Sequence, residues 1–229
     1  MNILVNGSSV SNGQGSWPYY IQQELGCNLI NLSLAGAGNN YIADTTIAEL
    51  SERSYDMVLI MWSEVNRIDF KVKTIPDVYY TSLAQSQLNE WPDKVPTPEV
   101  DYMQKDWVFS SAYLGKDTMP QIESLFQGYY NLSTTDEQLF NSVIKMISLQ
   151  GVLKSLNMPY LFIPYKPLVG QSRFSQLFKM IDWDNVYTTQ YLHSLAIEND
   201  LWNHQTDHPS SQTHKEFSKL LIQRIQHSS

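Results

Sequence analysis

A single cysteine, Cys27, is all the thiol this 229-residue chain has. That excludes an internal disulfide and a cysteine-cluster metal site. The place of Cys27 in the apolar run Cys27-Asn28-Leu29-Ile30-Asn31-Leu32 suggests a small buried hydrophobe. Basic side chains are scarce as well: 15 Lys and Arg stand against 23 Asp and Glu, a net charge of −8. Such a balance disfavours a nucleic-acid partner, which calls for basic patches, and docking on an anionic membrane surface. No apolar run approaches the length of a membrane span. The N-terminus enters a strand directly, without the basic segment and long apolar segment of a signal peptide. The expectation is a soluble chain, cytoplasmic where it is made, although a virion component would share these features. Internal repeats and low-complexity segments are lacking. Gly7 to Gly15 lacks the GxGxxG spacing, and no Gly-Lys-Ser/Thr follows, so no nucleotide cofactor is implied. Nothing in the pattern fixes an oligomeric state.

What is present begins with Ile3-Leu4-Val5, a short apolar run that breaks into Asn6-Gly7-Ser8-Ser9-Val10-Ser11-Asn12-Gly13. Ser16-Trp17-Pro18 then reads as a helix start, with Ser in capping range and Pro in the first turn. The unit is strand–loop–helix, with serines at the carboxyl end of the strand, the edge where open α/β sheets bind ligands. A serine there is either a turn residue satisfying backbone groups or a nucleophile, if a base and amide donors reach it.

The alternation continues. Trp17, Ile21 and Leu25 are four apart, and Gly26 closes the helix. Cys27 to Leu32 is a second strand, Ala35-Gly36-Ala37-Gly38-Asn39-Asn40 a second glycine-rich loop, and Tyr41 to Glu52 a second helix. Met57-Val58-Leu59-Ile60-Met61-Trp62 is the continuous apolar run of a buried parallel strand. Strands alternating with helices imply a parallel sheet with right-handed crossovers. From about Asp69 to Leu132 the alternation fails among prolines and aromatics, and an insertion of loops and short helices on the sheet's carboxyl edge is expected. Its aromatics, Trp91 and Trp107 among them, would wall the Ser9 pocket. Ser133-Thr134-Thr135-Asp136-Glu137-Gln138 offers several capping boxes for a helix running to about Leu156. Tyr160 to Ile163 is the fourth strand, 174–180 and 189–197 are short helices, and the last helix runs from about Ser211 to Ile225. The fold class is α/β: one domain over residues 1–229, a three-layer α/β/α sandwich with a flavodoxin-like parallel sheet and a large irregular insertion at about 69–132.

Gly7-Ser8-Ser9 resembles the first block of the SGNH (GDSL-type) hydrolases, with Ser8 where the family usually has Asp. Phage-encoded members carry similar variants. The resemblance covers about 2–67 and 157–225. It implies a serine esterase or deacetylase in which Ser9 is the nucleophile. It further implies that His208, in Asp207-His208-Pro209-Ser210, is the general base, and that the amides of Ser9 and Gly36 hold the oxyanion. Gly38 is the register alternative. The third block departs from the family's Gly-x-Asn-Asp: here Trp62-Ser63-Glu64-Val65-Asn66-Arg67 follows the strand. Glu64 stands in register with the family's Asn, and a carboxylate there would oppose the developing charge, so Glu64 is expected to point elsewhere. Asn66 or Ser63 would then supply the donor. Arg67 would pair with Glu64 or Asp69, or bind an anionic substrate group. The family's Asp, three before the His, is Gln205 here. Either Asp207 bends in to orient His208, or a backbone carbonyl does so and the pair acts as a dyad. His204 and His208 have the four-residue spacing of a helical zinc site, but Pro209 disfavours a helix at His208, so no metal is expected. The implied partner is a small-molecule ester or a glycan, an O-acetylated glycan first. A non-catalytic binding or structural module, for instance of a phage particle, is the rival reading, and acyl transfer would use the same residues.

Overall fold

The computed structural model describes residues 1–71, 107–109, 120–168, 174–204 and 208–227. The chain opens with β1 (Asn2–Asn6), α1 (Trp17–Leu25), β2 (Asn28–Asn31), α2 (Asn39–Glu52) and β3 (Met57–Trp62). Next come β4 (Asp69–Lys71), β5 (Trp107–Phe109), α3 (Pro120–Leu132), α4 (Thr135–Ser155) and β6 (Tyr160–Pro164). The chain continues through α5 (Ser175–Phe178), α6 (Leu192–Glu198), β7 (Trp202–Asn203), β8 (His208–Pro209) and α7 (Ser211–Gln226).

The central sheet has the order β2-β1-β3-β6, every pair parallel. A single further bridge, Phe162 with Val186, and the bond from Tyr187 N–H to the Phe162 carbonyl at 2.8 Å start a fifth position on the β6 edge. Side chains alternate across this sheet as the pleat requires. Leu4, Val58, Ile60, Trp62, Tyr160 and Phe162 face one core, with Tyr41 and Ile42 of α2 and Leu139 and Val143 of α4. Ile3, Val5, Leu59, Met61, Leu161 and Ile163 face the other, with Trp17 and Ile21 of α1 and Phe217 and Leu221 of α7. The result is the three-layer α/β/α sandwich that the apolar runs imply. The chain leaves β1 for β2 by way of α1 on one face and returns past β1 to β3 by way of α2 on the other. The strand order therefore reverses between β1 and β3, and in an open α/β sheet that reversal opens a crevice at the carboxyl edge.

Local signals mostly act as read. Gly26 ends α1 in the left-handed region at φ 56°, Thr134 Oγ1 accepts the Glu137 N–H at 3.1 Å at the start of α4, and Cys27 is buried. Ser16 differs. It sits at the N-cap of α1, but its hydroxyl donates to the Gly13 carbonyl at 2.6 Å and tightens the preceding turn. The insertion is more regular than expected: β4 and β5 form an antiparallel ribbon, and α3 is a full 13-residue helix. The Trp107 and Phe109 rings stand edge-on to Tyr41 at 5.6 and 5.4 Å, buried in the α2 core. Trp107 is thus a packing residue and not a wall of the Ser9 pocket. Trp91 lies outside the described residues.

Candidate active site

The first loop is held from below by Asn6, the fully buried last residue of β1. Its side-chain amide donates to Thr45 Oγ1 at 2.8 Å and to Thr46 Oγ1 and the Ile42 carbonyl at 3.0 Å, and its Oδ1 accepts the Gly7 N–H at 2.8 Å. The strand end is tied to α2 just before the serines. Gly7 is there for space: a Cβ would lie 2.5 Å from Ser11 Oγ and 3.2 Å from the Met61 carbonyl. Ser9 then opens a 3₁₀ turn through Ser11, closed by Ser11 N–H to the Ser8 carbonyl at 2.9 Å. Ser11 in turn accepts the Trp17 indole N–H at 3.0 Å, and its carbonyl accepts the Asn31 side chain at 2.8 Å. Asn6, Gly7 and Ser11, on either side of Ser9, are thus tied to other elements.

His208 comes from the far end of the chain. It lies on the ribbon in which β7 and β8 pair Asn203 with His208 and Trp202 with Pro209. That ribbon is stapled to α7, since the Leu201 carbonyl accepts both Ser210 N–H at 2.9 Å and Thr213 Oγ1 at 3.0 Å. The outcome is one short contact: His208 Nε2 lies 2.8 Å from Ser9 Oγ. With Nε2 unprotonated, the imidazole accepts the hydroxyl proton, the geometry a serine nucleophile and its base require. Asp207 and Gln205 lie outside the described residues.

A cavity of about 80 Å³ opens beside the pair, lined by Ser9, Asn12, Gln14, His208, Ser211 and His214 among others. His214, in the first turn of α7, shares that lining. Its ring is buried at 3% exposure and its Nδ1 has no partner. Burial, helped by the neighbouring His208, pulls its pKa from the usual 6.5 down to about 3, so it stays neutral while the pocket is in use.

The second and third loops meet on the other side of the crevice. Gly36 takes φ 85°, a backbone that favours glycine. The Gly38 N–H is already committed: it donates to Asp69 Oδ2 at 2.9 Å, as does Tyr41 N–H at 2.8 Å. Asn39 grips the third loop, its Oδ1 accepting Ser63 N–H at 2.9 Å and its Nδ2 reaching the Ser63 carbonyl at 3.3 Å and Ser142 Oγ at 3.0 Å. Ser63 Oγ is buried without a partner. Asn66 is exposed, and its carbonyl accepts the Tyr130 hydroxyl at 3.0 Å. Glu64 does point elsewhere, pairing with Lys166 Nζ at 2.7 Å. Arg67 pairs with neither Glu64 nor Asp69, and its Nη1 is buried without a partner.

Asp69 is the residue a sequence reading undervalues. At 1% exposure it is a buried carboxyl whose pKa desolvation raises from 3.8 to about 6, against the lowering pull of the amides it accepts. It sits where α2 begins and fixes the loop that carries Gly36 and Gly38. A Cβ on Gly38 would lie 2.7 Å from the Arg67 carbonyl and 3.0 Å from Asp69 Cγ, so the second loop closes on the end of the third with no space to spare. Among the described residues, no three His, Cys, Asp or Glu side chains gather in a way that could hold a metal ion, and no helix is long and apolar enough to cross a membrane.

No protein-family profile matches the sequence, and no curated protein does. Solved structures do. The psychrotrophic esterase EstA from Pseudoalteromonas sp., in a form inhibited by monoethylphosphonate, superposes with a TM-score of 0.53. The match covers 99% of this chain and 97% of that one at 13% identity. An acetylxylan esterase from Geobacillus stearothermophilus aligns over 98% of this chain and 93% of its own, with TM-score 0.48 and 13% identity. The structural neighbours are SGNH/GDSL hydrolases, and at such identity what they share with this chain is the fold.

Proposed function

We propose that this protein is a serine ester hydrolase, with Ser9 as nucleophile and His208 as general base. The observation that carries the reading is the 2.8 Å contact between His208 Nε2 and Ser9 Oγ, made by residues 199 positions apart at the carboxyl edge where the strand order reverses. Ser9 Oγ attacks the ester carbonyl as its proton passes to Nε2. The tetrahedral oxyanion is held by the amides of Ser9 and Gly36 together with Ser63 Oγ, a buried hydroxyl with no other partner. Collapse of that state returns the proton from Nε2 to the departing alcohol and leaves an acyl-Ser9. Water then attacks the acyl carbon, giving up a proton to His208; as the bond to Ser9 Oγ breaks, His208 returns that proton to Oγ and the acid leaves. Asp207 or a backbone carbonyl holds the imidazole orientation. The favoured substrate is an O-acetylated glycan: the 80 Å³ cavity beside Ser9 suits a small acyl group, and the neighbours include proteins described as acetylxylan esterases.

The test is covalent labelling. A fluorophosphonate should label the wild type at Ser9, mapped by peptide mass because Ser8 and Ser11 are close by. Ser9→Ala should take no label and lose at least about a thousandfold of aryl-acetate turnover with an unchanged melting temperature. His208→Ala should be comparably impaired. Wild type that takes no label and turns over no faster than Ser9→Ala would leave the fold as a non-catalytic binding module.

A further inference from the structure

A second cavity, of about 290 Å³, lies on the α2–α4 side of the third loop. Asn39, Asn40, Arg67, Asn141, Ser142 and Lys145 are among its polar lining, and among the described residues no Asp or Glu contributes to it. In a chain with a net charge of −8, a concavity with two basic side chains and no acidic one stands out. The two cations differ. Lys145 is neutralised by Asp44 at 2.8 Å. Arg67 forms no ion pair of its own among the described residues: Glu64, whose charge acts on it, is held by Lys166 at 2.7 Å, and Asp69 Oδ2 is turned to the amides of Gly38 and Tyr41. The side chain is half-buried, and its Nη1 is buried with no partner. A partly desolvated cation without a close counter-charge favours an anion beside it. The planar guanidinium fork matches a carboxylate, and the side-chain amide of Asn141 adds a neutral donor in the same lining. The cavity also touches the chemistry of the third loop, because Asn39, in its wall, grips the Ser63 backbone.

We propose that this cavity binds a carboxylate, the acid group of a uronic-acid-type sugar in the substrate whose ester is presented to Ser9. The catalytic half of that statement rests on the esterase reading; the binding half does not. The volume is near the lower end of ligand pockets, roughly 300 Å³, the scale of one sugar residue rather than an extended chain.

The experiment is therefore a binding measurement on the full-length Ser9→Ala protein, with glucuronate, glucose and inorganic phosphate as separate probes titrated by amide NMR. Glucuronate is expected to saturate with shifts centred on Arg67 and Asn141, glucose to bind at least about tenfold more weakly, and phosphate to be no better than glucose. Arg67→Met should weaken glucuronate at least about tenfold. If that variant fails to fold, Arg67→Lys, which keeps the charge and loses the fork, must still weaken it several-fold. Equal binding of glucose and glucuronate, equal binding of phosphate, no saturation of glucuronate in the millimolar range, or an unchanged affinity in the Arg67 variants would each overturn the proposal. Failure of the esterase reading would look different: no turnover by wild type, with glucuronate binding intact.

Discussion

Removing the Asp69 carboxyl should loosen the loop that carries Gly36 and Gly38, and the structure sets the size of the effect. In Asp69→Ala, the buried N–H groups of Gly38 and Tyr41 lose their acceptor, at about 1–3 kcal/mol for each. The total, on the order of 2–6 kcal/mol, corresponds to a urea midpoint shift on the order of 1–2 M. Asp69→Asn keeps an oxygen acceptor and removes the titration, so it separates bonding from charge. The folded carboxyl holds its proton up to about pH 6, while the unfolded one releases it near 3.8. Between those values the native state binds the extra proton, so the contribution of Asp69 to stability is full below pH 3.8 and is lost as pH rises through 6. The difference, 6 − 3.8 = 2.2 pH units, is worth about 3 kcal/mol. Urea unfolding of wild type, Asp69→Asn and Asp69→Ala at pH 4 and pH 7 tests both parts. The wild-type advantage over Asp69→Asn should shrink by about 2 kcal/mol from pH 4 to pH 7, part of it being already lost at pH 4, and Asp69→Ala should be the weakest at pH 7. An alanine variant within about 1 kcal/mol of wild type, together with a pH-independent gap to the asparagine variant, would refute the assignment of Asp69 as the buried acceptor of the α2 amides.

His214 should act in the opposite sense: its folded pKa is depressed from 6.5 to about 3. Its neutral ring therefore supports the fold above pH 6.5, and that support drains away as pH falls, by roughly 3 kcal/mol at pH 4. His214→Phe, in urea unfolding at the same two pH values, should lose that acid sensitivity. Because the two effects oppose each other between pH 4 and 6, the wild-type curve alone will show neither, and both variants are needed. Gly7→Ala forces Ser11 aside, since the new methyl falls 2.5 Å from its Oγ and 2.9 Å from its Cβ. The cost is about 1–3 kcal/mol, and the fluorophosphonate labelling rate at Ser9 should fall further than the melting temperature does.

How much of this was legible in the sequence varied with the range of the interaction. The apolar runs at β1 and β3, three residues and six, are uninterrupted and bounded by turn residues, and with the helices between them they imply the sheet class and the parallel direction. The ribbon of β4 and β5 could not be read: its two strands are three residues each and separated by residues 72–106, too short for any period to register. α3 was hidden because Pro120 reads as a break, although proline is a helix-starting residue in this context. The shared contact of Ser9 and His208 was foreseeable only through a family pattern, because nothing local to either residue points to the other. The burial of Asp69 and of His214 could not be read for a related reason: a buried titratable group is recognised by what surrounds it, and their surroundings come from distant segments. Ser16 shows the limit of local rules, as a residue in the capping position that found a nearer acceptor.

The separation of Ser9 and His208 has a consequence for the life of the chain. During synthesis the strand and loop bearing Ser9 are made first, while the ribbon and α7 that hold His208 come 199 positions later. In the proposed mechanism, a chain interrupted before that ribbon, by stalling or by a protease, has the nucleophile without its base. The proposed pair then forms only when α7 docks against α1, its packing neighbour across the Trp17–Phe217 core, and chemistry would be a readout of completed folding.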